Sequence, residues 1–253
     1  MIVDSMSYLE AFNQIESDLS KVEIWAEKFL PKVAKEFGKT RAFPKYHIEK
    51  YIQLKTKNEY RIFYYAGNAR EKVIYKLFYV TYYENHRLVI RTERYEYQHT
   101  EKSPKVVLPI IHIYLPHFLE RYNERFLHLG DVSDDVIVGH FIARNELFCQ
   151  IPLNEDINRN YQDYGEYNMY GIRVRDGFCF TKTSIEGKES EDCIDEHDKV
   201  EAMRIVYTTY MNESGMSNTQ RAAIEKEHFE VLKRYMSEFM GISDTDMSVR
   251  GKM

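Results

Sequence analysis

Residues 112 to 129, HIYLPHFLERYNERFLHL, gather three histidines and two arginines beside a row of aromatic side chains. Histidine exchanges protons near neutral pH, and arginine grips a phosphate through two parallel N–H groups. These are the side chains that metal-free RNA cleavage needs. A base takes the 2′-hydroxyl proton, cations stabilise the extra charge on the crowded phosphate, and an acid protonates the leaving oxygen. On a wheel at about 100° per residue, Leu115, Phe118, Leu119, Tyr122, Phe126 and Leu129 share one arc that must face a core. His117, Arg121, Arg125 and His128 occupy the adjacent arc, at the border between core and solvent. Partial desolvation there strengthens each charge interaction. The same spacing also suits a plainer role. Long arginine stems cover apolar surface, and Glu120 and Glu124 reach Arg121, Arg125 or His128 at helical spacing.

HFLERYNER, residues 117 to 125, resembles the His-xxx-Arg-xxx-Arg helix of small metal-independent ribonucleases of the barnase/EndoU/colicin/RelE-like superfamily. In some branches of that superfamily such a helix precedes a small curved sheet, and a late strand supplies Thr or Ser to the site. The resemblance spans residues 112 to 185 and makes FCFTKTSI, 178 to 185, that strand. It implies acid/base catalysis by His117, phosphate binding by Arg121 and Arg125, and a hydroxyl from Thr183 or Ser184, of which Thr183 is the expected site residue. The chain departs from the pattern in its size, in a tyrosine-rich meander that precedes the helix, in the long connection from 148 to 167, and in its acidic charge.

The whole chain sets bounds. Its 253 residues suffice for one large domain or two small ones, and for a sizeable core. We expect a single α+β domain over 1–253, subdivided into 1–105 (helix plus tyrosine-rich meander), 106–185 (the His/Arg helix and a hairpin) and 186–253 (C-terminal helices). The 21 tyrosines and 14 phenylalanines against one tryptophan point to aromatic strands with half-buried faces. A net charge of −5 excludes a histone-like polyanion binder but leaves room for a local basic patch. Cys149, Cys179 and Cys193 form no CxxC pair, which argues against a disulfide framework or zinc ribbon. The N-terminus lacks an apolar run of signal-peptide length, and no stretch approaches the ~20 apolar residues of a membrane span. A soluble cytoplasmic protein, with no membrane partner and no DNA-binding motif, is the expectation.

Hydrophobic period and capping signals predict the elements. Residues 7 to 37 read as a helix opened by the Ser7/Glu10 capping box, broken or kinked at Pro31 and stopped at Gly38. Three aromatic and β-branched runs between 59 and 97 read as an antiparallel meander with its middle strand central and residues 84 to 87 as a turn. A short extended run leads into the helix at 115 to 129, and a second helix follows with Ser133 as N-cap. Asp176-Gly177 predicts a hairpin turn with two positive φ angles. Helices at about 199 to 212 and 218 to 240 close the chain, the latter opened by Ser217 and Gln220. The sum is α+β, an antiparallel sheet with N-terminal and C-terminal helices packed on it.

Other constellations carry less. HExxH, Gly-rich phosphate loops and calcium-loop spacing are absent, so no metal and no cofactor is expected. Asp131, Asp134 and Asp135 suit a helix start, Cys179 a buried strand position, and His140 a half-buried helix position. Arg87, Arg91 and Arg94 interleave with Tyr95 and Tyr97, a pattern that suits RNA stacking but reads better as an exposed sheet face with ordinary charge pairs. The leading expectation is a toxin-like metal-independent endoribonuclease or RNA-binding protein using His117, Arg121, Arg125 and Thr183. The alternative is a non-enzymatic interaction module whose contact surface is the acidic segment 186 to 198 and the helix 218 to 240, with Ile224, Phe229, Leu232, Met236 and Phe239.

Overall fold

The computed structural model describes residues 6–83, 86–97, 106–146, 148–157, 169–187 and 200–240. Helix α1 (Tyr8–Phe37) opens with both halves of the capping box: the Ser7 hydroxyl accepts from the Glu10 N–H at 3.1 Å, and the Glu10 carboxylate accepts from the Ser7 N–H at 2.9 Å. Pro31 neither breaks nor ends it. Val22 and Ala26 before the proline and Val33 and Phe37 after it bury against the same core. Packing on both sides therefore offsets the hydrogen bond that proline forfeits. One buried position of α1 is an acid. Asp18 accepts from the Thr56 hydroxyl at 2.6 Å, the Asn58 side-chain amide at 2.8 Å and the Tyr60 hydroxyl at 3.0 Å.

Nine strands follow: β1 (Lys45–Ile52), β2 (Glu59–Ala66), β3 (Ile74–Tyr83), β4 (His86–Tyr97), β5 (Val106–Tyr114), β6 (Phe148–Pro152), β7 (Met169–Val174), β8 (Gly177–Gly187) and β9 (Val200–Met211). They form one sheet in the order β1-β2-β3-β4-β5-β9-β8-β7-β6. Every neighbouring pair is antiparallel except β5 and β9, which run parallel, so the α+β class holds while the sheet is mixed rather than purely antiparallel. The helical expectation for 199 to 212 is wrong: this segment is β9. Glu201, Ala202, Met203 and Arg204 favour helix locally, but Ile205, Tyr207 and Tyr210 bury between two neighbouring strands, and burial overrides propensity. Among the described residues, 186–253 thus contributes a strand, a short 3-10 turn and one long helix rather than helices alone. The edge strands β1 and β6 carry no clear alternation, and sequence patterning missed both.

Helix α2 (Pro116–Tyr122) and helix α3 (Asp134–Arg144) cover the sheet face opposite α1. Strand β3 contributes Tyr79 to the α1 side and Phe78 and Val80 to the other, which explains its unbroken aromatic and aliphatic run. Asp134 and Asp135 sit in the first turn of α3, where the dipole favours acids. Asp135 also pairs with Arg61 of β2 at 2.8 Å and with Arg87 of β4, tying the helix to the sheet. Gly139 lets α3 approach closely, since a Cβ there would stand 2.1 Å from the Phe63 ring. Helix α4 (Asn218–Met240) starts at the expected Ser217/Gln220 box and seats Ile224 with Ile151, Phe178 and Phe180 at the β6–β8 end.

Candidate functional site

Pro116 occupies the first turn of α2, where a missing N–H costs nothing. The Leu115 N–H donates to the Tyr207 carbonyl of β9 at 3.3 Å, and Phe118, Leu119 and Tyr122 are buried. Phe118 packs on Tyr207 with ring centroids 5.3 Å apart and meets Phe141 of α3 edge-on at 5.0 Å. The regular helix stops at Tyr122, not at 129. A π-turn over Asn123–Leu127 follows, closed by the His128 N–H donating to the Asn123 carbonyl at 2.8 Å. His128 takes a left-handed conformation with φ 54°, and the Asn123 side chain holds the next bend through Leu129 and Gly130. The wider turn rotates everything after it, so Leu129, expected in the core arc, is exposed.

The His/Arg strip resolves residue by residue. The His117 side chain is 55% exposed, with Nδ1 3.5 Å from the Glu120 carboxylate. Arg121 pairs with Glu124 at 2.7 Å. These two stand one helical turn apart on the outer face. Arg125 turns inward: its guanidinium donates to the Tyr210 carbonyl at 2.5 Å, and its own carbonyl accepts from Asn212 at 2.8 Å. Thr183 is buried on β8 opposite Ile205 and accepts from the Gln150 side chain at 3.0 Å. Helix α2 starts beside Tyr207, and the π-turn ends beside Tyr210, so the helical segment runs along β9 away from Ile205. At ~3.3 Å per residue, the anchor of Arg125 lies roughly 16 Å along the strand from the level of Thr183. The structure brings His117 and Arg121 together and does not bring Thr183 to Arg125.

Two polar clusters escaped the sequence. The first centres on Asp176, whose side chain is 3% exposed. Its carboxylate accepts from the Tyr122 hydroxyl at 2.7 Å, from two Arg144 N–H groups at 2.8 and 2.9 Å and from the Asn145 amide at 3.1 Å. Its N–H donates to the Asn145 side-chain oxygen at 3.0 Å, and its carbonyl accepts from the Tyr210 hydroxyl. The hairpin turn is consequently not the expected one. Val174 pairs with Gly177, the turn residues are Arg175 and Asp176, and neither has a positive φ. Burial, reinforced by the Asp176 charge, holds the Tyr122 phenol far above its ordinary pKa.

The second cluster lies where β4, β5 and β9 adjoin. His112 is 1% exposed, with Nε2 3.3 Å from the Glu93 carboxylate and Nδ1 3.2 Å from the Tyr207 hydroxyl. Arg91 stands 3.6 Å from Glu93 and beside the Tyr114 hydroxyl. Burial lowers the His112 pKa against the pull of Glu93, so the imidazole is neutral at pH 7. Burial acts to raise Glu93, but its His112 and Arg91 partners outweigh it and hold the carboxyl below its usual range. Burial pushes Tyr114 up to about 12 and holds Tyr207 well above the usual phenol range. The result is a buried row of carboxylate, imidazole and phenol across three strands. Only strand register could reveal it, because its members are distant in sequence. Of the arginines expected on an exposed sheet face, Arg87 and Arg94 are in ion pairs and Arg91 belongs to this cluster.

His140 is fully buried rather than half-buried. Its ring sits edge-on to Tyr46, Phe63 and Tyr65 at 4.9 to 5.5 Å, and burial pushes its pKa down to about 4. Among the described residues no group of three or more His, Cys, Asp or Glu is placed to hold a metal, and no helix is long and apolar enough to cross a membrane. Cys193 and most of the acidic segment, residues 188 to 198, lie outside the described residues. Comparison with protein-family models, curated proteins and solved structures finds no match.

Proposed function

We propose that the outer strip of α2 and its π-turn contacts RNA phosphate in the manner of a metal-independent endoribonuclease. In this reading His117 exchanges the proton, Arg121 meets the phosphate, and Arg125 braces the strip against the end of β9. Thr183 supports the sheet from a distance. The π-turn carries the reading. Single-turn insertions of this kind are rare and recur at functional sites, and this one immediately follows the His/Arg helix. The electrostatics also favour exchange. Glu120 and Glu124 are exposed partners, and such surface pairs contribute only about 0–1 kcal/mol, so an incoming phosphate displaces them at little cost. Purified protein is expected to cleave single-stranded RNA in the presence of a chelator, with His117→Ala abolishing cleavage and leaving the thermal transition unchanged. Protein that neither cleaves RNA nor binds it in a salt-dependent way rules the proposal out.

A second reading keeps the chain non-enzymatic, with α4 as a contact surface for another protein. Phe229 and Leu232 on α4 are 59% and 42% exposed, more apolar area than a solvated helix face needs. If this reading holds, Phe229→Ser with Leu232→Ser removes a binding partner without affecting any nuclease assay.

A further inference from the structure

A cleft of about 500 Å³ opens at the far end of α3, between the β2–β3 loop and the β7–β8 turn. We propose that it binds a small phosphate monoester with a flat apolar body, a class exemplified by phenyl phosphate or a nucleoside monophosphate. This inference is independent of any role for α2. Charge comes first. Lys72, Arg144 and Arg175 line the cleft, as do Glu71 and Glu146. The two acids are already engaged. Glu71 accepts from the Gly67 N–H at 2.9 Å and the Asn68 amide at 2.5 Å, and Glu146 pairs with Lys76. Lys72 and Arg175 are exposed and have no ion-pair partner among the described residues. Glu71 keeps its negative charge, because both of its donors are neutral, but Lys72 and Arg175 together outweigh it, and this balance favours an anion.

Arg144 supplies the rigid element. Asp176 takes two of its N–H groups, and the Phe126 ring lies 4.9 Å below the guanidinium. A guanidinium has five N–H donors, so three remain, one facing the Tyr65 hydroxyl. A donor already held in place loses little freedom when it meets a ligand. Lysine as a point charge and arginine as a fork both match phosphate oxygens, and several cations around one cleft suit a dianion better than a singly charged carboxylate. Size and shape supply the rest. Small-molecule sites span about 300–1,000 Å³, so a bare phosphate would leave most of this volume empty. Pro44, Tyr65, Ile74 and Ala143 add apolar lining for the body of the ligand, and Ile74 is exposed.

Isothermal titration of the full chain with phenyl phosphate, AMP, inorganic phosphate and adenosine tests the assignment. Phenyl phosphate or AMP should bind at sub-millimolar concentration, inorganic phosphate more weakly and adenosine not at all. Arg175→Ala and Lys72→Ala, both solvent-facing and neutral for the fold, should each weaken binding by roughly tenfold, the loss of one charge-assisted contact. Adenosine binding as tightly as AMP, affinity unchanged in both variants, or no binding of any phosphate at about 10 mM would overturn the proposal. RNA cleavage by the Arg175→Ala protein should match the unsubstituted chain, which keeps this result separate from the α2 reading.

Discussion

The α2 strip and the Asp176 cluster use the same chemistry, arginine facing carboxylate, within one stretch of the fold, yet they serve opposite ends. Arg121 and Glu124 meet in solvent, three residues apart on one helix, and would meet in any isolated helix of this sequence. Arg144 and Asp176 meet in the interior, from α3 and a distant turn, with Tyr122, Asn145 and Tyr210 closing the circle. Removing a charge from water costs several kcal/mol unless every partner is present. Asp176 is therefore committed to the fold and holds Arg144 in place through two of its N–H groups, whereas the exposed pair can part entirely for a ligand. Residue type at a helical spacing does not distinguish the two cases, and burial does.

The largest test of this contrast is Asp176→Ala. It strands the Arg144 guanidinium, the Tyr122 hydroxyl and the Asn145 amide at once, and should cost about 3–5 kcal/mol of stability in urea or guanidinium denaturation. A loss below ~1 kcal/mol would place the cluster in the same class as the surface pairs. Acid titration comes next. The folded-state pKa values of His112 and His140 lie below the ordinary 6.5, that of His140 at about 4, so the unfolded chain binds more protons between those limits. Stability should be fully present above pH 6.5 and fall as pH drops toward 4, by at most ~1.4 kcal/mol per pH unit for each histidine. His140→Phe, which keeps an aromatic ring among Tyr46, Phe63 and Tyr65, should flatten that slope. An unchanged slope would remove His140 from the account.

Tyr207→Phe deletes the hydroxyl beside His112 Nδ1 and nothing else, with an expected loss of about 0.5–1.5 kcal/mol in the same denaturation assay. The smallest stability effect belongs to the strip. Arg121→Ala and Glu124→Ala should each shift stability by less than ~0.5 kcal/mol, while Arg121→Ala alone should reduce RNA binding. If Arg121→Ala destabilised the fold as much as Asp176→Ala, the strip would belong to the scaffold and its proposed role in phosphate contact would lapse.

What could be read from the chain is what neighbours along it decide. Ser7 with Glu10 and Ser217 with Gln220 satisfy their own helix ends within four residues, so both starts follow from spacing alone. The aromatic and β-branched content of β2, β3 and β4 likewise announces strands before any partner is known. The outer face of α2, with His117 and Arg121 side by side, was visible for the same reason. Its end was not. The π-turn at Asn123–Leu127 is tied by Arg125 and Asn212 to the end of β9, and the residues of β9 favour a helix in isolation. Asp176 does sit in the turn, as the local Asp-Gly signal says, but its buried partners are not local and could not be read.

The sequence by itself determined the helix caps, the aromatic strands, the α+β class and the exposed half of the His/Arg strip, because each is set by interactions a few residues long. Tertiary structure alone decided the parallel pairing of β5 with β9, the chain Glu93–His112–Tyr207, the Asp176 clamp and the cleft beside Arg144. These join residues as distant in sequence as Pro44 and Arg175. They depend on strand register and on which groups lose water, and neither is written in any short stretch of sequence.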